Sequence, residues 1–282
     1  MSAYKILENF CKVRNIDPYQ EVEKLILEKI GVNDFETTDE EDIRKLFDDI
    51  QVEPLTSRVR FINQYLDSIG VAYKNNIFRN DFCNIEIDLS PESDKDTIIL
   101  LAHHDIVNPE SDNMNDNSAS VAHLLNLINR IKDYNLNKRV VFVITDGEEC
   151  GGVGSKYLGR QIKEGVFGNV LYALNLELTG FGDQLHIEQR EDSILSNLLV
   201  EKSNNSIHRM SIPFNDSISL RHAGVDSICI GLLPMPAINE RMNGFYPKEW
   251  GLCHSIKDKF ENAVEADMNM FNDFLFNFII NE

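Results

Sequence analysis

The sequence predicts an α/β fold in which a mostly parallel, mixed sheet is sandwiched between helices. From residue 83 onward, short apolar runs rich in β-branched residues alternate with segments of helical periodicity. The strand candidates are largely apolar and lack the strict alternation of a sheet with one face in water, which favours a sheet covered on both faces. Strands that alternate with helices are typical of parallel sheets with right-handed crossover connections.

Five segments are predicted as strands because they are short, apolar and rich in β-branched residues. They are CNIEIDL (83–89), TIILLAHH (97–104), RVVFVITD (139–146), NVLYALNLEL (169–178) and DSICIGLL (226–233). Four segments with apolar residues three and four positions apart are predicted as helices. They are SVAHLLNLINRIKDY (120–134), GSKYLGRQIKEG (154–165), SILSNLLVEKS (193–203) and a closing helix over 257–280.

The first 52 residues are predicted as a helical segment that packs on the main domain, residues 53–282. Within it, YQEVEKLILEKIG reads as a helix that begins near Asp17 and Pro18. A second helix is predicted for PLTSRVRFINQYLDSIG, with Gly70 as its C-terminal cap. No repeat, low-complexity tract or flexible linker divides the chain.

Composition excludes several classes of partner. The 282 residues include 27 Lys and Arg against 46 Asp and Glu, and the net charge of −19 repels nucleic acids and anionic membrane surfaces. Five widely spaced cysteines read as reduced thiols and not as a disulfide framework. Because no signal peptide or membrane-spanning run is recognisable, we expect a soluble, cytoplasmic protein, and its oligomeric state is not predicted.

Side chains that can bind metals follow several predicted strands at the point where each strand ends. These residues are His103, His104, Asp105, Glu148, Glu149 and Glu177, and the loop before the first helix of the sheet region adds Asp112 and Asp116. Ligands of open α/β sheets bind outside the carboxyl ends of the strands. Carboxylates and imidazoles that meet at one such edge form the ligand set of zinc or a similar divalent ion, and an excess of carboxylates suits two ions.

Each of these residues taken alone also has a structural explanation. Asp116 could be a helix N-cap or a first-turn acid, and a single histidine at a strand end is usually hydrogen-bonded to the protein. The adjacent glutamates of TDGEEC could be a solvated pair. The combination of all of them at one edge of the sheet favours the metal site.

The order of motifs resembles the two-zinc exopeptidases that include bacterial leucyl aminopeptidases and glutamate carboxypeptidase. The motifs that carry this resemblance are HHD (103–105), DNSAS (116–120), EECGGVGS (148–155), LNLEL (174–178) and CHSIKD (253–258). The resemblance covers roughly residues 55–282. It implies a two-zinc hydrolase, most simply an aminopeptidase, that acts on peptides or small amino-acid conjugates.

The resemblance also implies a role for each matching residue. One zinc would be held by His103 and Glu177, and the other by Glu149 and His254. A single carboxylate, that of Asp116, would bridge the two ions. The two remaining carboxylates are those of Asp105, which would orient the site, and Glu148, which would act as the general base on the bridging water.

Several positions depart from the common family pattern. Glu177 stands where Asp is usual, and Ser120 replaces a frequent Gly. Cys253 stands where some members carry a tyrosine that could stabilise the oxyanion, and Tyr246 is the substitute candidate. Asp216 either lies near the site or caps a helix.

The other histidines, namely His104, His123, His186, His208 and His222, are predicted to be ordinary surface or capping residues, with His104 close enough to line the pocket. Cys150 is not expected to act as a nucleophile. A related two-zinc family with an inserted dimerisation domain is disfavoured because the interval between Glu177 and His254 is too short for it. Two other functions stay open: a catalytically silent binding protein, and an acyltransferase of the glutaminyl-cyclase type with one zinc.

Overall fold

The computed structural model describes residues 1–13, 56–79, 82–91 and 93–282. The helix predicted near residues 17–30 lies outside these ranges. The helices of the described part are α1 Ala3–Phe10, α2 Ser57–Ser68, α3 Ala119–Ile131, α4 Val153–Lys163, α5 Ile194–Lys202, α6 Ser217–His222, α7 Met235–Met242 and α8 Glu265–Ile280. The strands are β1 Lys74–Phe78, β2 Phe82–Asp88, β3 Thr97–His103, β4 Arg139–Thr145, β5 Val170–Leu176, β6 Gln184–Glu188, β7 His208–Met210 and β8 Asp226–Leu233.

The strands form one sheet with the order β1-β2-β4-β3-β5-β8-β6-β7. The four central strands β4, β3, β5 and β8 are mutually parallel, whereas β2 and β6 join them in antiparallel orientation. The predicted mostly parallel mixed sheet is therefore confirmed. Because parallel neighbours end at the same edge, the loops after β4, β3 and β5 lie side by side.

The central strands are apolar throughout because helices cover both faces of the sheet. On one face, Leu100 and Phe142 belong to a core shared with α1, α2, α3 and α8. On the other face, Leu101 and Val143 pack with residues of α4 and α6 such as Leu158. Successive residues of a strand point to opposite faces, so a strand buried on both sides needs apolar residues at every position.

The two N-terminal helices of the described part pack on the same face as α3. Ser2 caps α1, which buries its apolar stripe against α3 and α8. Thr56 caps α2 by accepting a hydrogen bond from the backbone N–H of Val59. Gly70 follows α2 with a φ of +68°, the left-handed conformation that glycine adopts without steric cost.

Several elements were not predicted from the sequence, and one boundary was wrong. The strands β1, β6 and β7 are short and include polar residues, and α7 follows directly after β8. The closing helix begins at Glu265 and not at residue 257. Residues before it form an irregular loop in which the Asp258 carboxylate accepts two backbone N–H groups, so this stretch cannot also continue the helix.

Two histidines that were predicted at the surface are fully buried. His123 lies inside α3, where Asn272 donates a hydrogen bond to its Nδ1 at 2.9 Å. His186 lies on β6 with its ring 6.1 Å from that of Trp250. Burial lowers the pKa of each imidazole to about 3, so both are neutral at physiological pH. His104 is buried as well, and its Nε2 lies 2.9 Å from the Cys83 carbonyl oxygen instead of lining the pocket.

Burial of His123 should make the fold sensitive to acid. The folded state keeps this imidazole neutral, whereas the unfolded chain takes up a proton below its ordinary pKa of 6.5, so acid favours unfolding. We expect His123 alone to reduce the free energy of unfolding by about 2 kcal/mol between pH 7 and pH 5. Urea unfolding of wild type and His123→Gln at both pH values measures this, and equal pH dependence in the two proteins would contradict it.

No helix in the described ranges combines the length and the apolar character needed to cross a bilayer. All five cysteines lie within those ranges and are free thiols.

Candidate metal centre

Three neighbouring strands deliver the predicted ligands to one edge of the sheet. His103 is the last residue of β3 and pairs in register with Thr145 of β4. Glu148 and Glu149 follow β4, and Glu177 follows β5. The structure thus brings together side chains that are far apart in sequence, as the strand-end argument predicted.

The carboxylate of Asp116 lies between the imidazole rings of His103 and His254. Its Oδ1 lies 3.2 Å from His103 Nε2, and its Oδ2 lies 3.1 Å from His254 Nε2. The Glu177 Oε1 atom is also 3.2 Å from His103 Nε2, and the Glu149 Oε2 atom is 3.0 Å from His254 Nε2. The two oxygens of one aspartate therefore face two separate pairs, each made of one imidazole and one carboxylate.

Asp116 does not cap α3, because Ser118 holds the N-cap position of that helix. It belongs to a tight turn, Met114–Ser118, in which its own backbone dihedral angles are not helical. The Asp258 carboxylate accepts hydrogen bonds from the backbone N–H groups of Asn115 and Asp116 at 2.8 and 3.1 Å. This contact ties the turn to the loop that carries His254.

Asp105 holds two parts of the site in place. Its Oδ1 lies 3.2 Å from His103 Nδ1. Its two carboxylate oxygens also accept the backbone N–H groups of Glu148 and Glu149, at 3.2 and 3.0 Å. One carboxylate therefore lies beside the ring of His103 and accepts the backbone at the start of the loop after β4, contacts that suit the predicted orienting role.

The adjacent glutamates point in different directions. The Glu149 side chain reaches His254, whereas Glu148 lines the cavity beside the cluster. Burial raises the pKa of Glu148 to about 9, and the Glu177 and Asp216 carboxylates add to the increase. A carboxyl group whose pKa is raised in this way binds a proton more tightly than a free carboxylate, and this suits it to proton transfer.

The Glu177 backbone lies close to β8. A Cβ atom on Gly231 of β8 would lie 2.4 Å from the Glu177 carbonyl oxygen, so only glycine allows this close approach of backbones. The Glu177 Oε2 atom lies 3.5 Å from the Asn175 side-chain amide. With its extra methylene group, the Glu177 carboxylate still lies 3.2 Å from His103 Nε2.

Sequence reasoning did not resolve the position of Asp216 and assigned no role to Asp258. Asp216 is fully buried and makes no capping hydrogen bond to α6. Its Oδ2 accepts a hydrogen bond from the Thr145 hydroxyl at 2.6 Å, at the end of β4. Asp216 thus holds the N-cap position of α6, but its side chain contacts the end of β4 instead of capping the helix. Asp258 was inside a quoted motif, but its contact partners could not be read from spacing.

The donor set fits divalent cations. His103, Asp116 and Glu149 each offer an atom within 4.8 Å of the others. The Glu149 Oε1 atom is buried and has no hydrogen-bond partner within the described part of the chain, so a cation would satisfy it. Imidazole nitrogens and carboxylate oxygens in this number are the ligands of zinc.

In the apoprotein the same groups hold protons. The Asp116 hydrogen bond raises the pKa of His254 to about 9. Burial alone would lower the pKa of His103, but the carboxylates of Glu177, Asp105 and Asp116 raise it well above its usual value. Burial also raises the pKa values of Glu149 and Glu177 to about 7. A cation must therefore displace protons to bind.

This predicts that zinc binding releases protons and strengthens as the pH rises. We expect release of about three protons at pH 7, one from each imidazole and about half of one from each of Glu149 and Glu177, whose pKa values lie near 7. Calorimetric titrations with zinc in buffers of different ionisation enthalpy measure the number. A binding enthalpy that does not depend on the buffer would show that no proton is released and would contradict the prediction.

The cluster lies at the floor of a cavity of 540 Å³. Its acidic lining consists of Asp116, Glu148, Glu149 and Glu177. Its apolar wall consists of Leu178, Ile212, Phe214, Tyr246 and Trp250. No lysine or arginine of the described ranges lines it, and His254 is the basic side chain among its lining residues.

Comparison with known proteins identifies the family. Residues 84–279 match the sequence profile of Peptidase family M28. The chain belongs to this family. The matched segment contains the five residues predicted as metal ligands, and the prediction of a metallopeptidase is confirmed at the level of the family. The narrower resemblance to leucyl aminopeptidases and glutamate carboxypeptidase stays a prediction.

Solved structures share the fold of this M28 family member. The zinc aminopeptidase BSAP from Bacillus subtilis is 19% identical, with a TM-score of 0.60 over 71% of this chain and 49% of that chain. The LapA aminopeptidase of Legionella pneumophila is 13% identical, with a TM-score of 0.70, and the match covers 99% of this chain and 70% of that chain. The glutaminyl cyclase of Porphyromonas gingivalis is 15% identical, with a TM-score of 0.70, and the match covers 99% of this chain and 96% of that chain.

One curated relative also matches. The alkaline phosphatase isozyme conversion protein of Escherichia coli (strain K12) is 31% identical over 102 residues, which is 32% of this chain. The M28 chain described here spans 30% of the length of that relative.

Proposed function

We propose that this M28 family member is an aminopeptidase with two divalent metal ions, most simply zinc. The observation that carries the proposal is the position of Asp116, whose two oxygens face two separate imidazole and carboxylate pairs. His103 and Glu177 would hold one ion, Glu149 and His254 would hold the other, and Asp116 would bridge them. Family membership supports the choice of metal and of reaction class.

Two bound zinc ions would polarise the scissile carbonyl group and lower the pKa of the attacking water. Glu148 lies beside them in the cavity without contacting either imidazole. Two nearby cations would favour its ionised form, so its carboxylate could take a proton from that water. The same carboxyl group then delivers the proton to the leaving amine. Asp105 keeps Glu148 and Glu149 in place through their backbone N–H groups.

The charges of the cavity favour a free amine over a free carboxylate on the substrate. Four carboxylates line the cavity floor, and no lysine or arginine in the described part of the chain lines it to bind the terminal carboxylate of a carboxypeptidase substrate. A protonated α-amino group meets no lysine or arginine of the described residues there, and Glu148, the lining carboxylate that is not assigned to a metal, would attract it. This supports an aminopeptidase rather than a carboxypeptidase.

The apolar wall favours a large apolar side chain at the substrate's N-terminal residue. Leu178, Ile212 and Trp250 stand on the wall, while Phe214 and Tyr246 are more than half exposed there and can be covered by a ligand. Burial of apolar surface would stabilise binding by roughly 25 cal/mol per Å². We therefore propose leucyl-type and aromatic N-terminal residues as the preferred substrates.

The Tyr246 hydroxyl is proposed to stabilise the oxyanion of the transition state. Its ring stands 5.6 Å from Trp250 in the cavity wall. Tyr246→Phe keeps the ring and removes the donor, so we expect kcat to fall by about 10² while KM stays near the wild-type value. Steady-state kinetics on one leucyl substrate checks this. An unchanged kcat would exclude the hydroxyl from the reaction.

The glutaminyl-cyclase alternative is supported by one specific observation. The Porphyromonas gingivalis enzyme is covered over 96% of its length, a fuller match than that of either aminopeptidase structure described above. Its reaction would close an N-terminal glutamine into a ring and release ammonia, with no water consumed. The two-pair geometry around Asp116 favours hydrolysis, since it offers two cation positions.

The decisive experiment combines metal analysis with a matched set of substrates. Purified protein should bind close to two equivalents of zinc and should hydrolyse leucyl p-nitroanilide faster than the glutamyl compound. N-acetyl-leucyl p-nitroanilide is the matched control, because it removes only the free amine. About one equivalent, together with cyclisation of glutaminyl substrates, would favour the alternative. Absence of zinc binding would refute both enzymatic assignments, the aminopeptidase and the cyclase, and would favour the catalytically silent binding protein.

A further inference from the structure

The buried guanidinium group of Arg58 contacts two of the segments that carry the metal-ligand cluster. Arg58 lies on α2 and is 2% exposed. Its Nε donates to the carbonyl oxygen of His104 at 2.7 Å, and its Nη2 donates to the Ser118 hydroxyl at 3.0 Å. His104 stands between His103 and Asp105 in the chain, and Ser118 lies two residues after Asp116.

These contacts join two segments whose separation sets the geometry of the centre. One is the end of β3, which positions the His103 ring, and the other is the turn that positions Asp116. The Nε2 atom of His103 lies 3.2 Å from Asp116 Oδ1, so small relative movements of the two segments would change this distance. A planar guanidinium group has donors in fixed directions and can therefore hold two acceptors in a fixed relation.

The surroundings of Arg58 keep it in this position. Its guanidinium carbon lies 4.0 Å from the centre of the Phe10 ring, so the first helix of the chain covers it from the other side. Burial lowers the pKa of Arg58 to about 10, and it stays charged at physiological pH. The Asp105 carboxylate attracts this charge. A positive charge here also offsets part of the repulsion among the carboxylates of the cluster.

We propose that Arg58 is a positioning residue for the metal centre and that α1 and α2 contribute to metal affinity through it. Arg58 and Phe10 both lie outside residues 84–279, the segment that matches the family. The inference rests on the metal centre of the proposed function. Residues that hold metal ligands from outside typically change metal affinity by about 10-fold to 100-fold when they are replaced.

Arg58→Lys tests the proposal because it keeps the charge and removes the planar pair of donors. We expect the zinc dissociation constant to rise by about 10-fold to 100-fold, with the apoprotein still folded. Arg130→Lys is the matched control. Arg130 also stacks on an aromatic ring, that of Phe276 at 4.1 Å, and it donates to two acceptors, the side chains of Asn272 and Asp273, but it lies at the far end of α3. Its zinc affinity should equal that of wild type.

Ser118→Ala is a smaller change that keeps the test valid if Arg58→Lys does not fold. It removes one acceptor of the guanidinium group, so the zinc dissociation constant should rise, as it does for Arg58→Lys. Calorimetry with zinc and thermal unfolding of the apoproteins separate affinity from stability. Zinc affinity within twofold of wild type in the folded variants, even with reduced stability, would overturn the proposal. A wild-type chain that binds no zinc would instead refute the proposed function, and this inference with it.

Discussion

Glu148→Gln is expected to lower kcat by about 10² to 10⁴ while the protein keeps its full metal content. The Glu148 side chain lines the cavity without contacting either imidazole of the cluster, so its removal takes away a proton acceptor and not a ligand. Glutamine has nearly the same shape and cannot take a proton. Steady-state kinetics and metal analysis on the same preparation measure both effects.

A matched control for this variant is Glu86→Gln. Glu86 is a half-buried carboxylate on β2, where it accepts a hydrogen bond from Asn76, and it is absent from the cavity lining. Its replacement should leave kcat within a factor of about two, as expected of a change outside the site. Activity of Glu148→Gln near the wild-type level would remove Glu148 from the mechanism, and loss of metal would show that it is a ligand.

Asp116→Asn is expected to reduce zinc content below two equivalents and to lower kcat/KM by about 10² to 10⁴. The amide that replaces this carboxylate loses its negative charge and one of its two acceptor oxygens, so it cannot face both pairs in the same way. Polarisation by a bound metal contributes several kcal/mol to catalysis, and each 1.36 kcal/mol is a factor of ten in rate.

Asp112→Asn provides the comparison for this second variant. It makes the same chemical change on the same loop, but the Asp112 carboxylate accepts the backbone N–H of Phe260 and stays away from the cluster. We expect it to keep both equivalents of zinc. Two equivalents of bound zinc and full activity in Asp116→Asn would show that the aspartate does not bridge the ions. Circular dichroism establishes that each variant is folded.

The fold class was readable from the sequence because the central strands are buried on both faces. The segments that form β3, β4, β5 and β8 are apolar at nearly every position. Such continuous short apolar segments are typical of strands in a sheet that is covered on both faces. The edge strands β1 and β7 and the neighbouring β6 were missed because short strands with polar residues resemble loops. The closing helix was predicted too early because Asp258 and its neighbours are used to hold the turn of Asp116.

The site was predictable where it depends on the ends of parallel strands. Glu148, Glu149 and Glu177 follow neighbouring strands, so their proximity to His103 follows from the topology. His254 could be placed only through the order of motifs, since it lies on a loop whose path the sequence does not fix. Buried His123 and His186 were mistaken for surface residues because a single histidine carries no periodic signal of burial.

The sequence by itself determined the layered architecture and the residue types that meet at one edge of the sheet, because hydrophobic pattern and strand direction are local properties. Tertiary structure decided where each carboxylate lies. Asp116 faces two imidazoles, Glu148 stays apart from both, and Arg58 reaches across from α2 to contact the end of β3 and the turn of Asp116. Such assignments depend on distances of a few ångströms between segments far apart in the chain, and packing of the whole domain sets these distances.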